Sequence, residues 1–238
     1  MIGFNKEKRN TQIAAAISHL FLFMHLSNIG LIYLIYVIPI SLLLYHIGHS
    51  IFMHRHLSHN QFKFSKKAQY IMHLIAIITN MGKLPGYVAI HQQHHATSGT
   101  DHDPHEWRKI GFWKIFFSEW HVENSPINKK RLIRTFRLTP YMKKFTNNHY
   151  LIMYLLMPIF GGVTAMCWWW KQFSVIAVHL DFGDITKRKG SDTSSDNKWL
   201  WPIMWGDEKH TEHHLYPNKE KLSINDLQYS IGKIFEYV

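Results

Sequence analysis

The sequence predicts an all-α integral membrane protein with four transmembrane helices in two hairpins and a cytoplasmic helical part that holds a polyhistidine metal site. Two long stretches, residues 10–54 and 150–170, contain no lysine, arginine, aspartate or glutamate. Three dense histidine clusters lie at residues 54–59, 91–95 and 210–214. The apolar stretches predict the membrane helices, and the clusters predict the metal site.

The first uncharged stretch predicts a hairpin of two spans. Its most apolar runs are Ile13–Met24 and Ile29–Tyr45. The second run, extended to Phe52, reaches the roughly 20 residues that a membrane helix needs, whereas the first is a marginal span. A buried hydrophobic hairpin in a soluble protein is the alternative. A signal peptide is disfavoured because no small-residue cleavage site follows the first run, and a second run follows at once.

The distribution of basic residues predicts the orientation. Three basic residues precede the first run, whereas the turn at residues 25–28 carries neither lysine nor arginine. By the positive-inside rule both termini are cytoplasmic, and two crossings return the chain to the cytoplasm before His54. The basic segments Lys129–Arg137 and Lys187–Lys189 then also lie in the cytoplasm.

The second uncharged stretch predicts a second hairpin. If Tyr150–Val178 were one span, His179 and the third cluster would lie across the membrane from the first two clusters. An even number of crossings is therefore expected, with the turn at Gly161-Gly162 and two short arms. The run Trp168–Trp170 resembles an interfacial aromatic belt.

The segment between the two hairpins is expected to be cytoplasmic. Its apolar part, Ala68–Met81, favours a helix packed on the cytoplasmic part or lying in the interface over a full crossing. We expect one domain, 1–238, with hairpins at about 13–52 and 149–178 and cytoplasmic segments at about 53–148 and 179–238.

The histidine clusters predict metal ligands. His91, His94 and His95 are spaced i, i+3, i+4, which places their rings on one face of a helix, and residues 210, 213 and 214 repeat the spacing. So many imidazoles would repel one another if protonated, and a metal ion relieves this by taking neutral ring nitrogens as ligands. The isolated histidines are expected on the surface or in the core; they are His19, His25, His73, His121 and His149.

The number of imidazoles indicates two metal ions, because a zinc site closes at four ligands. Imidazole suits zinc, copper, iron and nickel alike, and the surplus of nitrogen ligands favours iron over zinc. Cys167 is the one cysteine, which excludes a thiolate cluster, a disulfide framework and a CxxC redox motif.

These motifs resemble those of the membrane fatty acid desaturase family, most closely its acyl-CoA, or delta-9-type, branch. The first cluster is similar to the HRxxSH box of that branch, and the second is similar to its HxxHH box. Residues 100–105 are similar to its TDxDPH continuation, and the third cluster with Tyr216-Pro217 resembles its third box. The resemblance covers the chain from the first hairpin onward.

The resemblance implies four spans and a cytoplasmic cap with two iron ions, where activated oxygen abstracts hydrogens from a methylene of an acyl chain to form a cis double bond. The implied ligands are His54, His59, His91, His94, His95, His210, His213 and His214, with His179 as the ninth. Asp103 and His105 are expected to orient ligand rings through hydrogen bonds, or to form a turn with no metal role.

The chain departs from the family pattern at two places. Val175 stands where the acyl-CoA branch has an asparagine, four residues before the ninth ligand, and residues 205–209 read WGDEK in place of a glycine-glutamate-glycine pattern. His49 could pair with His54 at the same spacing as His59, but Arg55 and Ser58 favour the pair with His59. His56 is expected to be exposed or to support a ligand.

The implied partners are a fatty acyl substrate, membrane lipid and a separate electron donor. The acyl chain could be carried by coenzyme A, acyl-carrier protein or a lipid. No GxGxxG motif, cysteine cluster or fused haem domain supplies electrons, so a ferredoxin or cytochrome b5-like donor is expected, steered by the net charge of +11. Nucleic acid is disfavoured as a partner, because the basic residues flank membrane segments and suit an anionic lipid surface.

Two other functions stay open on the sequence alone. A membrane hydroxylase or related di-iron oxygenase would use the same ligands. A histidine-rich metal-binding or transport protein would need polar or ionisable groups inside its spans, and Ile29–Tyr45 offers only Ser41 and tyrosines. A catalytically inactive family member is also consistent with Val175.

Overall fold

The computed structural model describes residues 4–117, 140–180, 183–186, 190 and 192–236. Within these ranges every regular element is helical, apart from two isolated β-bridges, which confirms the all-α prediction. Three features of the sequence predictions lie outside the described residues: His121, Lys129–Arg137 and Lys187–Lys189.

Two long helices occupy the first uncharged stretch. Helix α1 spans Phe4–Ile29, and helix α2 spans Ile32–Tyr45. Gly30 joins them with a φ of 81°, a conformation that glycine adopts without steric penalty. A π-helix, π1, continues α2 directly over His46–Ser58. By length and composition, Lys6–Ile29 and Ile32–Ser58 can each cross a membrane.

The second uncharged stretch forms one helix, and the predicted turn at Gly161-Gly162 is wrong. Helix α8 runs unbroken over His149–His179, 31 residues, or about 46 Å of helix. Phe21 of α1 lies where a Cβ of Gly161 would be, and Tyr33 of α2 lies where a Cβ of Gly162 would be. The two glycines therefore admit neighbouring helices to the backbone of α8.

The number of spans follows from that correction. His149–His179 is the third helix that is long and apolar enough to cross a membrane, and the described part of the chain holds three such helices. Four spans are therefore not confirmed. The helix expected at Ala68–Met81 is present as α3, Lys66–Ile78, and it is not one of the three.

The π-helix lies at the centre of the packing. Helix α3, helix α4 (Leu84–Thr97) and the C-terminal helix α11 (Leu227–Glu236) all pack against it. A Cβ on Gly48 would meet the Ala76 backbone nitrogen at 2.9 Å, so glycine permits the close approach of α3. The remaining α-helices of the described residues are short: α5 Trp107–Ile110, α6 Phe112–Phe116, α7 Pro140–Asn147, α9 Trp201–Met204 and α10 His210–Leu215. A 3-10 helix, Lys198–Leu200, precedes α9.

A buried ion pair fixes α11 to π1. Arg55 Nη1 donates to both carboxylate oxygens of Asp226, at 3.0 and 2.9 Å, and both side chains are fully buried. The Asp226 carboxylate also accepts the backbone N–H groups of Leu222 and Tyr229. These bonds hold the C-terminal segment beside the first histidine cluster.

Candidate metal centre

The π-helix brings two histidines of the first cluster together. Its backbone hydrogen bonds join residues five apart, so residues with that spacing lie on the same side. His54 is in π1 and His59 caps its end, and their ring centroids are 5.1 Å apart. In an α-helix the same spacing would direct the two side chains apart.

Helices α4 and α10 each divide their histidines between two groups. In α4, His91 and His95 are four residues apart and lie on one side, whereas His94 is turned away from His95. The same holds in α10, where His213 faces one group and His210 the other. The helical spacing seen in the sequence therefore serves two neighbouring sites.

The first group contains five histidines. One ring nitrogen of each lies within 4.8 Å of a ring nitrogen of every other; the members are His54, His59, His91, His95 and His213. The Nε2 atoms of His59 and His91 are 2.7 Å apart, and those of His54 and His213 are 2.8 Å apart. The Nε2 atoms of His213 and His95 are 3.1 Å apart.

These imidazoles are held in the neutral form that binds metal. Burial, followed by the nearby charges of His214 and Arg55, lowers the pKa of His59 to about 3. Burial and the neighbouring histidines lower the pKa values of His91, His95 and His213 well below the usual value. At neutral pH the group therefore presents lone pairs.

The second group contains four histidines. Ligand nitrogens of His94, His179 and His210 lie within 4.8 Å of one another. His214 lies at the boundary of the two groups, with its ring centroid 4.6 Å from that of His210 and 4.3 Å from that of His95, and we count it with the second group because its buried Nε2 has no hydrogen-bond partner. Each member has a buried ring nitrogen with no hydrogen-bond partner: Nε2 of His94, His210 and His214, and Nδ1 of His179. An unpartnered buried polar atom is unfavourable, so four of them in one place indicate a ligand shared between them.

The donor sets fit two metal ions. At a metal–nitrogen distance of about 2.1 Å, neighbouring ligand nitrogens lie about 3.0 Å apart and opposite ones about 4.2 Å apart. Three pairs in the first group are 2.7–3.1 Å apart. The ligand nitrogens of the first group, and likewise those of His94, His179 and His210, lie no more than 4.8 Å from one another. Hydrogen bonds could pair two neutral imidazoles but could not satisfy five converging rings, whereas a metal ion accepts them all. Nitrogen ligands in this number suit iron as well as other first-row metals.

Asp103 supports the second group. Its Oδ1 accepts hydrogen bonds from His94 Nδ1 and from the amide of His105, both at 2.8 Å, and its Oδ2 accepts the amide of Gly99 at 2.9 Å. Burial alone would raise the pKa of Asp103, but His94 and these bonds hold the pKa below its usual value. The His105 ring stacks on His179 with centroids 5.3 Å apart. Asp103 and His105 thus both lie beside the second histidine group. The sequence analysis expected these two residues to orient ligand rings.

Two further carboxylates border the groups, and the sequence analysis did not identify them. Asp192 Oδ1 is 3.0 Å from His214 Nδ1 and accepts the hydroxyl of Ser98 at 2.7 Å. Asp207 accepts the hydroxyl of Ser50 at 2.8 Å, and its other oxygen is 3.8 Å from His54 Nδ1. Asp207 lies within the WGDEK segment, where the chain departs from the family pattern. That departure was the only feature of the sequence that could have pointed to Asp207.

The other histidines that the structure describes lie outside both groups. The His49 ring lies against Tyr45 and Tyr87, and His56 Nδ1 is 2.8 Å from the carbonyl oxygen of Phe62. His73 and His149 are buried, whereas His19 and His25 contact aromatic rings of neighbouring segments. Val175 is one turn before His179 and offers no donor atom.

Comparison with known proteins gives one family. The sequence model of the fatty acid desaturase family matches residues 30–228. The chain is 24% identical over 212 residues to delta-9 acyl-lipid desaturase 2 of Arabidopsis thaliana, covering 81% of this chain and 68% of the relative. It is 23% identical over 215 residues to an acyl-CoA C20 delta5-desaturase of Anemone leveillei, covering 80% and 67%. It is also 23% identical over 216 residues to a hex-5-enoyl-[acyl-carrier protein] acetylenase of Moorena producens, covering 78% and 67%.

Proposed function

The chain belongs to the fatty acid desaturase family, and we propose that it desaturates fatty acyl chains with two iron ions and molecular oxygen. Family membership makes it a membrane oxidoreductase that acts on acyl chains. The observation that carries the proposal is the convergence of nine histidines into two neighbouring groups. In the first the ring nitrogens lie close to one another, and in the second each ring has a buried nitrogen without a hydrogen-bond partner.

The two groups assign a ligand set to each ion. One ion would be held by His54, His59, His91, His95 and His213, and the other by His94, His179, His210 and His214. When bound, the ions supply the oxidant that removes two hydrogens from the acyl chain, while oxygen is reduced to water with two external electrons. The second set would have fewer imidazoles, and Val175, one turn before His179, offers no donor atom to add to it.

The carboxylates beside the second group position its rings. Asp103 accepts the Nδ1–H of His94, and Asp192 lies in the same relation to Nδ1 of His214. Each interaction fixes the tautomer and leaves Nε2 free to bind metal. Burial of both groups keeps the imidazoles neutral and limits the access of bulk water.

We place the metal site and both chain termini on the cytoplasmic side. Basic residues precede α1, and α1 and α2–π1 together return the chain to the side from which it started. Because His179 at the end of α8 lies beside His94 in the same site, this placement requires either that α8 does not cross the membrane completely or that the chain crosses once more before His149. The substrate is an acyl chain attached to a lipid, coenzyme A or acyl-carrier protein, the three carriers that appear in the names of the relatives. The delta-9 relatives favour a cis double bond at a delta-9-like position.

The electron donor is a separate acidic protein of the ferredoxin or cytochrome b5 kind, attracted by the net charge of +11.

The experiment is expression in a host of known lipid composition, with fatty acid profiling and metal analysis of the purified protein. We expect a new monounsaturated acyl chain and close to two irons per chain. His179→Ala should lower the iron content and abolish the product at a normal protein level, because one of four ligands to the second ion is lost. His102→Ala is the matched control, since His102 is an exposed histidine outside both groups.

Three results would contradict the proposal. An alcohol in place of the double bond would indicate a hydroxylase. Stoichiometric zinc without iron, after growth with ample iron, would favour a metal-binding or transport protein. If His179→Ala and the wild-type protein had the same iron content and formed the same amount of product, His179 would not be a ligand.

A further inference from the structure

An aromatic patch lies on the surface where helix α6 meets helix α8. The Trp113 ring of α6 is 6.0 Å from that of Phe116, and 6.4 Å from that of Phe117, which follows the helix. The Phe116 ring is in turn 5.7 Å from that of Trp168 and 6.2 Å from that of Trp169, both in α8. The five rings therefore form one continuous surface that two segments of the chain share.

The outer rings of the aromatic patch are exposed, whereas the aliphatic side chains of the same segment are buried. The exposed fraction is 67% for Trp113, 50% for Phe117 and 45% for Trp169. Ile115 of α6 and Ile110 of α5 are 3% and 6% exposed, so they attach the segment to the rest of the protein. A group of large exposed rings is typical of a surface that meets a membrane or another protein.

The aromatic patch lies beside the first turns of the apolar run of α1. The Gln12 side-chain amide donates to the carbonyl oxygen of Phe117 at 3.3 Å, and the His19 ring is 5.5 Å from that of Trp168. The basic residues at the start of α1 end at Arg9. Since α1 and α8 are both long and apolar enough to cross a membrane, the patch lies at the level where α1 would enter the bilayer.

The surroundings of the aromatic patch favour lipid over a second protein as its partner. Leu20 of α1, next to His19, is 67% exposed, so the patch continues into the apolar surface of a membrane helix. Lys114 and Arg108 at its border are exposed. Tryptophan rings lie at the headgroup level of membranes, and basic side chains beside them extend toward water and the lipid phosphates.

We propose that the aromatic patch is a membrane anchor, with α5 and α6 lying in the bilayer interface and the rings of Trp113 and Phe117 among the lipid headgroups and upper acyl chains. The sequence analysis placed the whole segment 53–148 in the cytoplasm and considered an interfacial position within it only for Ala68–Met81. Helix α5 begins two residues after His105, whose ring stacks on that of His179. The anchor therefore holds the second histidine group close to the bilayer surface, whatever path α8 takes through the membrane.

The test measures the depth of a nitroxide label in the whole chain, reconstituted in vesicles of phosphatidylcholine and phosphatidylglycerol. Cys167, which is buried, is replaced by alanine, and Trp113→Cys supplies the single labelling site. Electron paramagnetic resonance compares the accessibility of the label to oxygen, which concentrates in lipid, with its accessibility to a water-soluble nickel chelate. The controls are Leu155→Cys, at a 71% exposed position of α8, and Asn218→Cys, at an exposed polar turn.

We expect the label at Trp113→Cys to be more accessible to oxygen than to the nickel chelate, at a depth of about 5–10 Å in the headgroup and acyl boundary. The label at Leu155→Cys should also favour oxygen, and the label at Asn218→Cys should favour the nickel chelate. Preference for the nickel chelate at Trp113→Cys would show that the patch faces water. Low accessibility to both reagents would show that protein covers it, as in contact with a second copy. Either result would overturn the inference.

A second measurement does not depend on a new cysteine. Lipids brominated in the upper acyl chain quench the fluorescence of tryptophans that they contact. Trp113→Phe keeps an aromatic ring and should reduce the fluorescence that is lost to these lipids, whereas an equal loss in Trp113→Phe and the unchanged protein would contradict the anchor. Neither measurement uses iron content or product formation, so the anchor and the proposed function can fail independently.

Discussion

Asp103→Asn tests how the second histidine group is held. Asp103 is almost fully buried, and its two oxygens receive three N–H donors, from His94, His105 and Gly99. Asparagine has one oxygen and one NH₂ group. In either amide orientation the NH₂ faces at least one of these donors, so at least one hydrogen bond is lost and its donor is left buried.

The size of the effect follows from that loss. A hydrogen bond to a charged group contributes about 1.5–3 kcal/mol, and about 1.4 kcal/mol corresponds to a tenfold change in affinity. The Kd of the second metal ion should therefore rise about 10–100-fold, the range found for residues that orient metal ligands. None of the hydrogen bonds of Asp103 goes to a member of the first group, so the intrinsic affinity of that group should stay the same.

The assay is the iron retained per chain during dialysis against chelators of graded strength. Asp103→Asn should release one iron at a weaker chelator than the unchanged protein does, and should keep the other. Asp101→Asn is the matched control. Asp101 is two residues before Asp103, but its side chain is exposed and pairs with Lys109. Release of both irons at the same chelator strength as in the unchanged protein would refute the positioning role.

Three further predictions concern stability. Burial holds the pKa of His59 and other ligands below 6.5, with His59 at about 3, so below pH 6.5 the unfolded chain binds protons that the folded apoprotein cannot. The free energy of unfolding of the apoprotein should fall from about pH 6.5 toward pH 3 by about 1.4 kcal/mol per pH unit for each such histidine; an unchanged Tm between neutral and mildly acid buffer would contradict this. Gly161→Ala should lower stability by about 1–3 kcal/mol through overpacking, and Phe21→Ala in the same chain should remove much of the loss in thermal unfolding. Asp226→Asn should lower stability by about 3–5 kcal/mol because Arg55 stays charged and buried without its partner, and a loss below about 1 kcal/mol would show that solvent reaches the pair.

The sequence predicts the metal centre better than it predicts the path of the chain. His91, His94 and His95 could be placed on one helix from their spacing alone, because local hydrogen bonding sets that geometry. The division of these three residues between two sites could not be predicted, since it depends on where π1 and α10 approach α4. The pair His54 and His59 likewise depends on a π-helix, which no residue pattern in the segment indicates.

The error at Gly161-Gly162 has a physical cause. A glycine pair between apolar runs is typical both of a turn and of close helix packing, because the missing Cβ permits either. Only the positions of Phe21 and Tyr33 decide between them. Asp192 and Asp207 were missed for a related reason: Ser98 and Ser50, to which they bond, are far away in sequence.

In the proposed two-ion site, the division of α4 and α10 between the two histidine groups would couple the loading of the ions. The first ion to bind, through His91, His95 and His213, fixes the rotation of both helices about their axes. That rotation is also what directs His94 and His210 into the other group. Since the conformational entropy of ordering the helices is lost only once, the second ion should bind more tightly than it would alone. Half-loaded chains should accordingly be scarce in the wild-type protein, where titration with limiting iron should yield a mixture of empty and fully loaded protein. They should accumulate only where one site is weakened, as in Asp103→Asn.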